Sequence, residues 1–165
     1  MNKRGQFQLS FSMIFSIIII IVTVAIAAYV IMYFLDLNKC REITGFYSDF
    51  QGRVDKAWAS GFTSDTFEYA LPREVEEVCF VNSSKRYNGA EFEKEYNDLR
   101  MYIDSYGEDA NRNLFLYPLT NSCHGLSYFS LKHVSIENFF CIKTINGKSS
   151  IKISKGRADS LVKVS

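Results

Sequence analysis

The chain has 165 residues, which is enough for one domain with an appendage but too short for two full-sized domains. Its 19 Lys and Arg residues nearly balance its 18 Asp and Glu residues, which argues against a dedicated nucleic-acid-binding protein with its usual basic excess. No charged residue occurs from Gly5 to Leu35, and this segregation excludes a freely soluble cytosolic protein.

Residues 9–35 form an apolar stretch that we interpret as a transmembrane helix, preceded by a short basic leader at residues 1–8. A helix of this length spans about 40 Å, against about 30 Å for the hydrocarbon core of a bilayer. The alternative is a cleaved secretory signal, whose apolar segment has only about 7–15 residues. Cleavage at Ala25-Ile26-Ala27 would leave the apolar run YVIMYFL near the new terminus, so we favour retention in the membrane.

The charges that flank this stretch predict its orientation. Lys3 and Arg4 precede it, whereas residues 36–56 carry equal numbers of basic and acidic side chains. A positive flank favours the cytoplasmic side of the membrane. We therefore expect a single-pass protein of the cell membrane, with a cytoplasmic N-terminus and an extracellular domain formed by residues 61–165.

One face of the predicted span carries small residues. Ser12, Ser16, Thr23 and Ala27 form a narrow stripe when residues are plotted at about 100° intervals. Such a stripe lets helices approach closely in lipid, so other membrane helices are expected partners besides the bilayer itself. Chance alignment is the alternative, because small residues are common in membrane helices.

Residues 3–6 read Lys-Arg-Gly-Gln and are followed almost at once by the apolar run. In these features the chain resembles archaeal type IV prepilins with class III signal peptides. The resemblance implies that a membrane peptidase cuts between Gly5 and Gln6, and that the apolar segment stays on the mature subunit. It also implies pilin-like subunits as partners. The chain resembles, in addition, uncharacterised small single-pass archaeal membrane proteins, for which no activity is implied.

Two positions depart from the prepilin pattern. Ser10 stands where the family usually has Glu, and Gln8 stands where it often has Ser. The Glu of the family helps to register neighbouring subunits, so its absence favours a low-copy or capping subunit over a bulk polymer. The alternative is an ordinary signal anchor in which Gly5-Gln6 is incidental.

Residues 36–60 predict an amphipathic helix that continues the span. Apolar residues recur at intervals of three and four, as they do in a helix with one buried face. We expect one helix from about Leu9 to Ser60, with Gly61 just past its end; two helices with a hinge at residues 36–39 are the alternative. A long helix of this kind laid on a sheet is the pilin architecture. The apolar stripe comprises Leu37, Cys40, Ile43, Tyr47, Phe50, Val54, Ala57 and Trp58.

Residues 61–165 indicate an α+β domain with a small antiparallel sheet packed on the long helix. Strands are predicted at Phe62–Tyr69, Glu76–Asn82 and Asn113–Tyr117, and residues 120–130 are expected to form a loop. The capping pattern Asn88-Gly-Ala-Glu91 predicts the start of a second helix. The apolar face of that helix comprises Phe92, Tyr96, Leu99, Ile103 and Tyr106, and Gly107 is expected to end it.

Asn146-Gly147 is the preferred two-residue turn of a β-hairpin. The turn predicts a register in which Ile142 faces Ile151 and Phe140 faces Ile153, with these four side chains packed on the long helix. We expect Leu161–Val164 to add an edge strand. The opposite face of the hairpin, directed toward solvent, would carry Cys141, Lys143, Ser150 and Lys152.

Four cysteines follow the predicted span: Cys40, Cys79, Cys123 and Cys141. Outside the cell an even set indicates two disulfides, for which three pairings are possible. The predicted strand faces place Cys79 and Cys141 together, away from the long helix, whereas Cys40 lies on the helix stripe. We therefore favour Cys79–Cys141 and Cys40–Cys123.

The motifs of common enzymes are absent from the sequence, including the nucleophile elbow, the P-loop and the dinucleotide-binding fingerprint. A metal site is the sharpest alternative, but its residues lack the Cys-x-x-Cys pairs typical of structural zinc. We predict no enzymatic activity, no catalytic, cofactor-binding or metal-binding residue, and no small-molecule substrate. Asn82 begins the one N-glycosylation sequon and is a candidate for modification. The candidate metal ligands would be Cys123, His124, His133 and Cys141.

These features favour a structural or interaction role, as a pilin-like or minor-pilin subunit of a surface filament or secretion apparatus. The first alternative is a permanently membrane-anchored extracytoplasmic domain that binds a partner without polymerising. The second is a membrane-tethered enzyme, which would need a buried polar constellation that the sequence does not show.

Overall fold

The structure is a computed structural model that describes residues 11–82, 85–105, 112–119, 123 and 125–165. The fold is α+β, as predicted, with one long N-terminal helix and two small sheets that are mainly antiparallel. The chain divides into two compact units, one up to Asn38 and one from Lys39 to Ser165.

The N-terminal helix, α1 (Phe11–Ala59), is a single element of 49 residues. It is continuous through residues 36–39, where the alternative interpretation placed a hinge. Every residue from Phe11 to Asn38 is exposed. The long run without Gly or Pro explains why the helix persists, since these two residues are the least favourable in a helix interior.

The end of α1 is closed by hydrogen bonds to its last carbonyl groups. The backbone amide of Ser60 donates to the carbonyls of Lys56 and Ala57, both at 3.2 Å. The Lys155 ammonium group donates to the carbonyls of Trp58 and Ser60. Because helix carbonyls in the last turn have no intrahelical partner, these contacts fix the point at which the helix ends.

The second half of α1 buries one face, as the apolar stripe predicts. Phe46 is fully buried although the predicted stripe omits it, whereas Leu37 and Trp58 are predicted members that remain substantially exposed. The buried face is therefore shifted slightly around the helix and is richer in aromatic rings. It comprises Ile43, Phe46, Tyr47, Phe50, Val54 and Ala57.

In the described residues, eight strands and one further helix follow α1. The predicted strands near residues 62, 76 and 113 are confirmed, and Tyr128–Phe129 forms a short strand in the segment expected to be a loop. The elements are β1 (Thr63–Ala70), β2 (Glu77–Phe80), α2 (Glu93–Ser105), β3 (Leu114–Tyr117), β4 (Tyr128–Phe129), β5 (Val134–Ser135), β6 (Phe140–Lys143), β7 (Lys148–Lys155) and β8 (Val162–Val164).

The strands form two four-stranded sheets rather than the single sheet expected. The first sheet has the order β1-β7-β8-β5, and the second has the order β4-β3-β2-β6. All pairs are antiparallel except β5 with β8. The predicted edge strand at Leu161–Val164 corresponds to β8, but β8 lies inside the first sheet, between β7 and β5.

The turn at Asn146-Gly147 forms, but the predicted pairing of Ile142 with Ile151 and of Phe140 with Ile153 is wrong. Asn146 and Gly147 have φ values of 54° and 72°, as the expected turn requires, and Ile145 pairs with Lys148. Beyond that pair the strands separate into different sheets, with β6 on β2 and β7 on β1. The longer pairing with β1, over eight residues, outweighs continuation of the hairpin.

The second helix begins later than its capping pattern predicts. α2 starts at Glu93, and the amide of Tyr96 donates to the carbonyl of Phe92 at 2.9 Å. The preceding residues are not helical, and the ring of Tyr87 lies over Gly89. Tyr96 and Leu99 are buried as predicted. Tyr106 and Gly107, the expected end of this helix, and the side chain of Ile103 lie outside the described residues.

Two apolar clusters hold the second unit together. The larger one joins the buried face of α1 to residues of both sheets, among them Phe67, Leu116 and Ile151. The smaller one lies on the opposite face of the second sheet and includes Leu99 from α2 and Phe115 from β3. On the face of β6 that was expected to meet solvent, Cys141 is instead buried in this smaller cluster, whereas Lys143 is exposed as expected.

Two glycines in α1 provide a matched test of its packing. A Cβ at Gly52 would meet no atom within 4 Å, whereas a Cβ at Gly45 would lie 2.5 Å from the Tyr69 hydroxyl. We expect Gly52→Ala to raise the free energy of unfolding by about 1 kcal/mol through helix propensity. Gly45→Ala should gain less or destabilise, because the Tyr69 ring must move. Chemical denaturation of both variants measures the difference, and equal gains would contradict the close approach at Gly45.

Candidate functional site

The first candidate surface is the apolar half of α1. Within the described residues, α1 is the one helix long and apolar enough to cross a membrane, a property of its length and composition. Its large apolar side chains, from Phe11 to Leu35, are exposed on all sides. Contiguous exposed apolar surface of this size marks an interaction with lipid or with another protein.

The small-residue stripe lies on this surface, and the hydroxyl groups of Ser16 and Thr23 donate to carbonyls within the helix. Ser16 Oγ donates to the carbonyl of Ser12, and Thr23 Oγ1 donates to the carbonyl of Ile20, both at 2.9 Å. These groups therefore need no partner in an apolar environment, where an unmet hydrogen bond is costly. Ala27 completes the stripe on the same helix.

The predicted leader cleavage site at Gly5 and Gln6 lies outside the described residues, as do Gln8 and Ser10. The processing of the leader therefore stays a prediction from the sequence.

Two disulfides link the second unit, and their pairing is the one that the sequence favours. Cys40 of α1 is bonded to Cys123, and Cys79 of β2 is bonded to Cys141 of β6. Cys79 and Cys141 lie directly opposite each other in the pairing of β2 with β6. One disulfide thus ties α1 to a loop, and the other ties two adjacent strands.

The alternative metal site does not assemble in the described residues. Cys123 and Cys141 belong to different disulfides, and His133 contacts Asp55 and Trp58. His124 lies outside the described residues. A second grouping brings Glu77 within 4.8 Å of the sulfur atoms of Cys79 and Cys141, but these two sulfurs are bonded to each other. A disulfide sulfur has no thiolate to offer a metal ion.

His133, directly before β5, contacts two side chains of α1. Its ring stacks on Trp58 with centroids 3.9 Å apart, and its Nδ1 lies 3.0 Å from Asp55 Oδ1. Gln51 bonds the backbone of Lys132, accepting from its amide at 2.9 Å. The hydrogen bond from His133 is the main cause that lowers the pKa of Asp55. This arrangement joins residues far apart in sequence, and no local motif marks it.

Glu77 is the one buried Asp, Glu, Lys or Arg among the described residues. It is only 8% exposed, and its Oε2 atom has no hydrogen-bond partner among the described residues. Burial raises the pKa of Glu77, the nearby Glu95 adds to the increase, and Lys143 opposes it. A buried carboxylate without a partner loses its hydration and gains nothing in return, so Glu77 is costly to the fold when ionised.

The strands next to Glu77 place two polar residues beside it. Lys143 lies opposite Glu77 on β6, and Tyr117 lies opposite it on β3. The hydroxyl of Tyr117 donates to Asp98 Oδ2 on α2 at 2.9 Å. Burial, together with this hydrogen bond, raises the pKa of Tyr117 to about 12. No local sequence pattern marks this row of residues, because it depends on how β2 pairs with β3 and β6.

The candidate glycosylation residue already uses its side-chain nitrogen. Asn82 Nδ2 donates to the carbonyl of Ile136 at 2.7 Å. Because a glycan would be attached at this nitrogen, modification would have to replace the contact. Ser83 and Ser84, which complete the sequon, lie outside the described residues.

Comparisons of the chain with protein-family models, curated proteins and solved structures give no match. The resemblance to archaeal type IV prepilins therefore stays a prediction that rests on residues 3–6 and on the helix that follows.

Removal of either disulfide should destabilise the second unit by about 2–5 kcal/mol, because each cross-link restricts a long loop of the unfolded chain. The test compares the double variants Cys40→Ala/Cys123→Ala and Cys79→Ala/Cys141→Ala by chemical denaturation. Mass mapping of non-reduced protein should first recover both cross-linked pairs without free thiols. Recovery of any other pairing would contradict the disulfide arrangement.

Glu77 should make the stability of the protein depend on pH. Because burial raises its pKa above the ordinary value of 4.5, the folded state binds the proton more tightly than the unfolded state. The free energy of unfolding should therefore fall as the pH rises from 4.5 through the raised pKa. At neutral pH, Glu77→Gln should be more stable than the unmodified protein by about 1 kcal/mol.

Denaturation at a series of pH values measures this effect, and Glu68→Gln at an exposed position of β1 is the matched control. An advantage of Glu77→Gln that stays constant down to acidic pH would show that ionisation of Glu77 is not its cause.

Proposed function

We propose that this chain is a single-pass membrane protein with a structural or interaction role, as a pilin-like or minor-pilin subunit of a surface filament or secretion apparatus. The observation that carries the proposal lies in α1, whose exposed, charge-free first half is continuous in sequence and helix with a second half buried in a disulfide-linked domain. A helix of this kind suits a subunit whose N-terminal half lies in lipid and whose C-terminal half packs inside a globular domain.

Lipid is the environment that the first half of α1 fits best. Each Å² of apolar surface left in water costs about 25 cal/mol, and the segment from Phe11 to Leu35 exposes almost nothing else. Between its two end turns an α-helix satisfies its own backbone hydrogen bonds, which the hydrocarbon core of a bilayer demands. The internal bonds of Ser16 and Thr23 extend the same rule to the side chains.

The cysteines support an extracellular second unit. All four lie in that unit and are paired, and disulfides persist in oxidising compartments. The basic residues Lys3 and Arg4 favour a cytoplasmic N-terminus, which puts the second unit on the same side as the disulfides require. Two independent features thus favour one orientation.

The pilin-like part of the proposal rests on the leader and on the small-residue stripe. Gly5-Gln6 matches the cleavage position of the prepilin family. After cleavage, the stripe from Ser12 to Ala27 offers a face on which a neighbouring helix can pack closely. Ser10, in place of the family's Glu, cannot pair with the amine of a neighbouring subunit, so a low-copy or capping role is proposed rather than a bulk polymer.

A permanently anchored extracytoplasmic domain that binds a partner without polymerising is the alternative function. It shares the membrane helix and the orientation, and differs in keeping residues 1–5. A membrane-tethered enzyme is a more distant alternative, for which no catalytic arrangement has been identified in the described residues.

The mass of the mature N-terminus separates the first two functions. We expect protein purified from native membranes to begin at Gln6, because the prepilin resemblance implies cleavage between Gly5 and Gln6. The processed chain would lose two basic residues that hold it to anionic lipid, worth about 1 kcal/mol each. A substitution of Gly5 by a bulky residue should leave the leader attached. An intact terminus at Met1 or Asn2 would contradict the pilin-like proposal and favour the anchored domain.

Protease added to intact cells provides the control for orientation in the same experiment. The region after Asp36 should be degraded without lysis. Complete protection until the cells are lysed would reverse the proposed topology.

A further inference from the structure

The first sheet ends at β1, whose outer backbone edge is open in the described part of the chain. β1 is the terminal strand in the order β1-β7-β8-β5, and its eight residues pair with β7 in one unbroken register. The other terminal strands are shorter, since β4 and β5 have two residues each and β6 has four. Short length, Pro, Lys and bulges commonly protect edge strands from pairing with another chain. Among the described strands, β1 is the one long edge, and it carries none of these features.

The hydrogen bonds around β7 show which backbone groups of β1 face this open edge. The amide of Leu71, just past β1, donates to the carbonyl of Gly147 at 2.8 Å, so the odd-numbered residues of β1 bond β7. In agreement, Lys152, which lies opposite Thr66, exchanges its backbone bonds with Ser165 instead of β1. Because bonding alternates along an antiparallel strand, the even-numbered residues of β1 direct their amides and carbonyls to the open edge. These residues are Ser64, Thr66, Glu68 and Ala70.

Three of these four amides have no acceptor among the described residues. The exception is Thr66, whose amide donates to Asp65 Oδ1 at 2.9 Å and is therefore directed away from β7. Asp65 is held in turn by Arg53 of α1, whose Nη1 lies 3.2 Å from Asp65 Oδ2. An incoming strand would find exposed backbone donors on both sides of Thr66. The three amides belong to Ser64, Glu68 and Ala70.

The charge around the open edge is mainly negative. Glu68 is exposed on the face of β1 that points away from α1. On the inner face, burial raises the pKa of the Tyr69 hydroxyl, and the charges of Asp49 and Glu42 add to the increase. Arg41 opposes them with one positive charge. The same charges on both strands would oppose pairing of β1 with a second copy of itself, whereas a basic partner would be attracted.

We propose that β1 binds an extended basic segment of another polypeptide, which adds to the first sheet as a fifth, antiparallel strand. In this mode of binding, backbone hydrogen bonds give affinity and alternate side chains give specificity. The partner residues opposite Glu68 and Tyr69 should be Lys or Arg, the second of them beside Asp49. The residue opposite Phe67 should be apolar, because Phe67 belongs to the core that packs on α1. The open edge belongs to the second unit, so this pairing would not depend on cleavage of the leader.

The experiment uses the full chain in detergent micelles with both disulfides intact. The probe is the capped peptide Thr-Lys-Lys-Val-Thr-Val-Ser, whose lysines lie opposite Tyr69 and Glu68 when its first residue faces Ala70. Binding is measured by fluorescence anisotropy, and amide hydrogen exchange locates it. Without peptide, the amides of Glu68 and Ala70 should exchange faster than those of Phe67 and Tyr69, which bond β7. The peptide should slow exchange at Glu68 and Ala70.

Three modified peptides separate strand pairing from attraction between charges. Methylation of the backbone amides of the third and fifth peptide residues, which would face β1, should weaken binding about tenfold through the loss of two hydrogen bonds. Methylation of the second and fourth amides, which would face solvent, is the matched control and should leave binding unchanged. A peptide with Glu in place of both lysines should bind about tenfold more weakly.

Two variants of the chain place the binding on β1. Glu68→Pro removes an amide at the open edge without removing a bond to β7, and it should weaken binding about tenfold. Asp49→Lys at an exposed position of α1 should weaken binding about threefold, and it keeps a readout if the first variant folds poorly. Glu93→Gln, exposed on α2, is the control and should bind as the unmodified chain does.

Four results would overturn the proposal. Equal binding of the two methylated peptides would reduce the interaction to charge, and equal binding of the acidic peptide would remove the charge complementarity. Failure of the basic peptide to bind would remove the site. Slow exchange at Glu68 and Ala70 in a dimeric chain without peptide would show that a second copy already occupies the edge.

Discussion

The aromatic face of α1 between Ile43 and Ala57 is the surface on which the second unit depends. Each sheet has only four strands, several of them two to four residues long, and neither could bury an apolar face alone. Phe46 and Phe50, stacked with centroids 5.8 Å apart, meet residues of both sheets in one cluster. The helix therefore supplies an apolar surface that both small sheets share. Because both sheets pack on it, β6 and β7 can belong to different sheets although a two-residue turn connects them.

Further contacts join α1 to the segment between β3 and β5, from which Leu131 also enters the apolar core. Cys40–Cys123, the stacking of His133 on Trp58 and the bond from the Tyr47 hydroxyl to the carbonyl of Leu126 all connect α1 to the segment between β3 and β5. Among the described residues of this segment, Tyr128–Phe129 forms the one short strand. A disulfide, a ring contact and a hydrogen bond thus add to the apolar packing, and all three attach this segment to α1.

The sequence predicts the parts of this fold that depend on local periodicity. The long helix, the strands near residues 62, 76 and 113, the Asn146-Gly147 turn and the disulfide pairing all follow from residue spacing or side-chain alternation. The hairpin register fails because a favourable turn competes with an eight-residue pairing to β1, which only the assembled sheet reveals. The burial of Glu77 could not be predicted for the same reason, since it depends on how β2 pairs with the strands that carry Lys143 and Tyr117. The contact of His133 with Asp55 joins residues 78 positions apart, so no local pattern indicates it.

The disulfide between Cys40 and Cys123 gives the second unit a mechanical property. Cys40 is the second residue of that unit, and the buried face of α1 begins three residues later, at Ile43. A pulling force that arrives along the first half of α1 would reach this covalent bond before it reached the apolar contacts. Peeling of the helix away from the sheets would therefore stop at Cys40, and the load would pass into the loop at Cys123. The bond works as a tether that protects a hydrophobic interface from tension applied at its edge.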